Sequence, residues 1–174
     1  APIDHARLYT DQVLKVLGDP ARNEAQRRAA VRKVAEEMFD LSETAKRALG
    51  RHWQSRTPAE REEFTRLFAE LLENTYLSKV SLYSGERVSY VGESIDGDFA
   101  IVRAKILRKQ GAEVPVEARM LRRGDRWSIY DISVEGISLI SNYRSQFNTI
   151  IQKSSYEQLV QRLRATREVS LNDR

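Results

Sequence analysis

Cysteine is missing from this 174-residue chain. Disulfides, thiolate nucleophiles and thiolate-bound metals are therefore excluded, a composition that suits an exported bacterial protein and many cytosolic ones alike. Histidine is scarce. His5 and His52 lie too far apart for the paired spacing of a metal-binding helix, and each reads as a surface or helix-end residue. The glycines are scattered, with no Gly-Lys-Ser/Thr and no Gly-x-Ser-x-Gly. Neither a phosphate-cradling loop nor a nucleophile elbow is on offer. No apolar run approaches the ~20 residues that span a bilayer, and the basic start and apolar core of a signal peptide are absent too. The chain opens Ala-Pro-Ile, compatible with a mature N-terminus from which a signal has been removed.

What is present is an ordinary globular balance, 41% apolar and 31% charged. It suffices for a sizeable core in one domain or two closely packed parts. The net charge is +4, and much of the excess is local. Arg103, Lys105, Arg108, Lys109, Arg119, Arg122, Arg123 and Arg126 stand in one stretch against Glu113, Glu117 and Asp125. Such a stretch suits an anionic membrane, lipid phosphates, an acidic partner or nucleic acid, or else a solvated strand face. Nucleic acid would require exposed aromatics interleaved with the cations. The aromatics here follow inward-facing periods, so no nucleic-acid partner is expected.

Apolar residues at Ala6, Leu8, Tyr9, Val13, Val16 and Leu17 predict a first helix over Asp4–Leu17, ending near Gly18. Asp19-Pro20 is a cap and first-turn pair for a second helix, whose Val31, Val34, Ala35 and Met38 form a stripe beside Phe39. Ser42–Leu49 reads as a short helix stopped by Gly50. Thr57-Pro58-Ala59-Glu60 is a capping box. It opens a helix with Phe64, Leu67, Phe68, Leu71, Leu72, Tyr76 and Val80 on one face, reaching Tyr83. From Arg87 the period changes to two. Turns at Asp96-Gly97, Gln110-Gly111 and Gly124-Asp125 divide a four-stranded antiparallel meander, in which Pro115 hints at an edge or a bulge. Helices on both sides of the meander make the class α+β. A last helix starts with Ser155 and Gln158 in capping spacing and carries Tyr156, Leu159, Val160 and Leu163. Beyond Arg164 the polarity predicts a fraying tail.

The stretch WSIYDISVEGISLISNYRSQFNTII, Trp127 to Ile151, organises the rest. Alternation sets Trp127, Ile129 and Asp131 on one face of a strand, with Ser128, Tyr130, Ile132 and Val134 on the other. Glu135-Gly136 breaks the strand, Ser138 is placed to cap a helix, and Ile140, Tyr143, Phe147, Ile150 and Ile151 stripe that helix. A strand bent through a glycine corner into an apolar helix suits the wall of a greasy pocket. Asp131, beside Tyr130 and near Glu135, is the one carboxylate with a case for proton transfer. A single acid without a partner reads better as a corner anchor.

Leu49-Gly50…Trp53, the helix start Thr57 to Phe68, Trp127…Tyr130-Asp131, and Glu135-Gly136-Ile137-Ser138…Asn142-Tyr143-Arg144 together resemble the MlaC-type phospholipid-binding family. The resemblance runs in order from the first helices to about Ile151. It implies a curved antiparallel sheet of four to five strands, NTF2-like, wrapped by helices and enclosing an apolar cavity. It makes residues 1–174 a single lipid-binding domain, with a helical region over 1–84, the sheet at 87–134 and C-terminal helices at 138–166. The implied function is that of a periplasmic, non-enzymatic, monomeric carrier. Such a carrier shuttles diacyl phospholipid between an outer-membrane lipoprotein–porin complex and an inner-membrane ABC transporter with an MCE-domain ring, in systems of outer-membrane asymmetry and toluene tolerance. No cofactor or metal is implied, and the N-terminus becomes the mature one. The residues expected against lipid are Val34, Met38, Phe39, Phe68, Leu72, Tyr76, Ile101, Met120, Tyr130, Ile132, Ile137, Ile140, Tyr143 and Phe147. The rival readings are an NTF2-like small-molecule enzyme built on Asp131 and a ligand-free interaction module.

Overall fold

The computed structural model describes residues 1–76, 85–109 and 111–172, with side chains to 166. Its elements are α1 (Pro2–Leu17), α2 (Glu24–Met38), α3 (Leu41–Leu49), a 3-10 turn (Gly50–His52), α4 (Pro58–Tyr76), β1 (Arg87–Asp96), β2 (Phe99–Leu107), β3 (Glu113–Arg123), β4 (Arg126–Val134), β5 (Ile137–Ser138), α5 (Leu139–Lys153) and α6 (Tyr156–Asn172). The five strands form one antiparallel sheet in chain order, so the class is α+β, as the periods predict. The chain divides into two compact units. Unit 1 is Ala1–Asp40 with Lys79–Leu139, and unit 2 is Leu41–Ser78 with Ile140–Arg174.

In unit 1 the meander grows from tight turns, and Gly97 (φ 61°) sits where Asp96 pairs with Phe99. Glu135 and Gly136, at φ 52° and 82°, make the two-residue left-handed loop that matches strand twist. It joins β4 to the short β5. Two bulges decide which side chains share a face. Tyr90 pairs with Ala104 and Gly92 with Arg103, leaving Val91 unpaired; likewise Met120 pairs with Ile129 and Arg119 with Asp131, leaving Tyr130 extra. The second bulge corrects the alternation expected for β4. Trp127, Ile129 and Ile132 share a face and a core with Ala6, Ala100, Val102, Met120, Met38 and Phe39, whereas Asp131 turns to the opposite side. The inserted residue shifts the period by one, and every later side chain changes face.

Pro115 lies in an interior strand, not at an edge. Its carbonyl accepts from Glu135 N at 2.9 Å, so its ring nitrogen faces the side where β4 pairing has already ended at Val134, and no ladder donor is lost. The cap of α2 also differs from expectation. Asn23, not Asp19-Pro20, closes the capping box with Gln26, and Asp19 instead accepts from Ala21 N in the turn before it. That backbone bond holds the Asp19 carboxyl below its usual range.

Unit 2 is helical. Glu60 N donates to Thr57 Oγ1 at 3.1 Å and Thr57 N to Glu60 Oε1 at 2.9 Å, the capping box read from sequence. The reach of α4 to Val80 and Tyr83, and the turn residue Gln110 of unit 1, lie outside the described residues. Ser155 caps α6 through Gln158 N at 3.1 Å. The helix runs on to Asn172, where the polarity predicts a fraying tail. Its buried face is Tyr156, Leu159, Val160 and Leu163, as the stripe predicts. Tyr156 donates to the Glu60 carbonyl under the guanidinium of Arg56, and its burial pushes the phenol up to about 12.

Candidate functional site

Four rings meet in unit 2. Phe64 and Phe68, one turn apart on α4, stand 5.8 Å between centroids, and Phe147 of α5 meets them edge-on at 5.8 and 5.5 Å. Tyr143 closes the group, 5.3 Å from Phe68 and 5.7 Å from Phe147. Leu72 and Ile140 belong to the same cluster. Tyr76, at the end of α4, is 43% exposed and hydrogen-bonded to Tyr143; burial and then that neighbour push its phenol up to about 12. Six of the fourteen expected lipid contacts, Phe68, Leu72, Tyr76, Ile140, Tyr143 and Phe147, are thus brought together. Phe64 is not among the fourteen, although its spacing to Phe68 was the available signal.

The remaining eight lie in unit 1 and are spread over it. Met38, Phe39, Met120 and Ile132 share the face of the sheet that packs on α1. Ile101, partnered with Arg119, lies on the other face, where Tyr130 meets Phe99 edge-on at 6.4 Å. Phe99 is 48% exposed, and alternation, which cannot report exposure, marks it only as a strand start. Ile137, cross-strand from Val134, is 68% exposed. Val34 lines an open cleft of about 840 Å³ between α1 and α2, whose rim of Lys15, Arg22, Lys33, Asp19 and Glu37 does not suit an acyl chain.

Asp131 is 7% exposed and accepts from the Ser138 hydroxyl across the β4–β5 corner. It fixes that corner to the sheet, as an anchor does. The basic stretch is largely tied down as well. Arg122 pairs with Asp98 at 3.0 Å and lies over Trp127, Arg123 pairs with Asp40 at 2.7 Å, and Lys105 with Glu113 at 3.4 Å. Arg126 donates to Tyr9 and to the Glu37 carbonyl. Among the described residues no cluster of His, Asp and Glu could hold a metal, and no helix is long and apolar enough to cross a membrane.

Comparison with known proteins agrees with this architecture. The chain is 24% identical over 129 residues to the intermembrane phospholipid transport system binding protein MlaC of Haemophilus influenzae, a match to 71% of this chain. It spans 60% of that relative's length. A solved structure of a phospholipid-binding protein from Ralstonia solanacearum, in complex with a phospholipid, superposes with a TM-score of 0.84 at 25% identity, covering 97% of each chain. The family described as MlaC protein matches residues 8–165. The chain belongs to that family.

Proposed function

We propose that this protein is a phospholipid carrier that holds acyl chains against its apolar interior, residues 1–174 acting as one lipid-binding domain. The observation that carries the reading is the family match over 8–165 together with the whole-length likeness to a phospholipid-bound structure. The aromatic group of α4 and α5, with the exposed Tyr76 at the end of α4, is the wall best suited to an acyl chain. Burying a methylene is worth ~0.8 kcal/mol, so some thirty methylenes of a diacyl lipid carry on the order of 20 kcal/mol of aversion to water. A carrier must approach the apolarity of a bilayer or the lipid will not leave it. Binding and release are the task, and no acid–base step is required of Asp131.

In this reading the protein works in the periplasm. It receives lipid from or delivers it to an outer-membrane lipoprotein–porin complex and an inner-membrane MCE-domain transporter, and so maintains outer-membrane asymmetry. Organic extraction of the purified protein followed by mass spectrometry tests the carrier role. A stoichiometric diacyl phospholipid is expected, and protein from membrane-rich cells that carries none overturns it. Tyr143→Glu, which sets a charge beside the rings, is expected to lower the lipid-to-protein ratio.

A further inference from the structure

Two stretches of the sequence carry no carboxylate: 44–59, between Glu43 and Glu60, and 136–156, between Glu135 and Glu157. Together they hold six lysines and arginines and His52. Within unit 2 the fold brings the 3-10 turn of the first against α5 of the second. Gly50, at φ +58°, lets the turn lie so close that a Cβ there would stand 3.0 Å from Cδ of Arg144. One turn further along α5, Asn148 Oδ1 accepts from Arg51 Nη2 at 3.3 Å and meets His52 Nε2 at 2.7 Å. Arg144 Nη2 donates to the Ser141 hydroxyl at 3.1 Å.

These bonds have an electrostatic consequence. Arg47 and Arg56 are each paired with a carboxylate, Glu43 at 2.9 Å and Glu60 at 3.4 Å. Arg51 and Arg144 are instead held by an amide oxygen and a hydroxyl, which orient a guanidinium without cancelling its charge. Both side chains are exposed. Oriented guanidinium groups that keep their charge are the preferred donors to phosphate oxygens. None of the exposed large apolar residues among those described lies in α3, the turn or α5. The face therefore lacks the apolar anchor on which protein partners concentrate binding energy.

We propose that Arg51, His52 and Arg144 form a phosphate-oxyanion site on the surface of unit 2, open to the headgroup of an anionic phospholipid or to free phosphate. The site does not depend on the carrier reading, since the phosphate titration below reads it whether or not lipid copurifies. Titration of the intact protein with sodium phosphate, against sodium chloride at matched ionic strength, is followed by NMR. Saturable shifts of the Arg51, Arg144 and His52 side-chain signals are expected with phosphate alone, and affinity about tenfold weaker in Arg51→Gln/Arg144→Gln. Asn148→Asp gives Arg51 and His52 a carboxylate of their own. It should weaken phosphate binding comparably while Tm holds or rises, a combination that a purely structural role does not produce.

Flotation with vesicles containing phosphatidylglycerol names the source. Co-flotation that the double variant loses and phosphate competes away assigns the site to headgroups; phosphate binding without co-flotation assigns it to free phosphate. Both outcomes uphold the site. Equal shifts with chloride, phosphate binding unchanged in the variants, or tighter occupation by polyglutamate than by phosphate overturns it.

Discussion

Asp131 and Gly50 show how single residues hold bends that the flanking elements cannot hold alone. Asp131 is buried and takes the Ser138 hydroxyl across a corner whose two loop residues both have positive φ. Asp131→Ala is expected to cost about 1–3 kcal/mol, since it removes a buried carboxylate and leaves the half-buried Ser138 hydroxyl without that acceptor, and Ser138→Ala about 1 kcal/mol. Urea denaturation measures both, and a bound-lipid ratio that stays constant per folded molecule distinguishes an anchor from a site. At Gly50 two costs coincide. Alanine at φ +58° carries about 1–2 kcal/mol of left-handed strain, and its Cβ also presses on Arg144. Adding Arg144→Ala to Gly50→Ala should recover the steric share alone, leaving the backbone strain in the denaturation midpoint. The glycine was legible as a helix stop. Its partner on α5 was not, because a contact between residues so distant in sequence leaves no local mark.

The first turn of α4 is where local sequence and element agree most closely. Its capping box is fully formed, and Thr57→Ala is expected to cost about 1 kcal/mol. The Thr57 amide, ahead of the nearby Arg56, holds the Glu60 carboxyl below the usual glutamate range. A depressed carboxylate contributes stability that is present above its unfolded pKa and lost as pH falls through its folded one. The denaturation midpoint should therefore drop, as pH falls below the ordinary glutamate range, more in wild type than in Glu60→Gln, which keeps the acceptor without the titration. In β4 the agreement breaks. Periodicity located the strand correctly but reversed the faces after Tyr130, because a bulge inserts a residue without requiring a recognisable one. The α2 cap moved from Asp19 to Asn23 for a related reason: two adjacent turn-formers compete, and the one followed by Gln26 completes a reciprocal pair.

At the scale of the whole chain, each unit has its own core. That of unit 2 draws Ala45, Leu49, Phe64, Phe68, Ile140, Phe147 and Leu159 from four helices. Phe68→Ala should cost about 3–5 kcal/mol, as truncation of a buried aromatic does. It should also lower the bound-lipid ratio of the fraction that stays folded, read by mass spectrometry after removal of unfolded protein. By itself the sequence determined the class, nearly every helix and strand, and the absence of thiol chemistry from a chain without cysteine. Those follow from composition and from periods set by backbone geometry, which act over a few residues. Tertiary structure decided the rest. It gathered six of the expected apolar residues, Tyr143 among them, left Ile137 and Phe99 exposed, and spread the others over α2 and two faces of a sheet. It also paired Lys105, Arg122 and Arg123 with carboxylates while holding Arg51 and Arg144 on neutral acceptors. Burial and pairing are relations between distant segments, and no local period encodes which neighbour a side chain will meet.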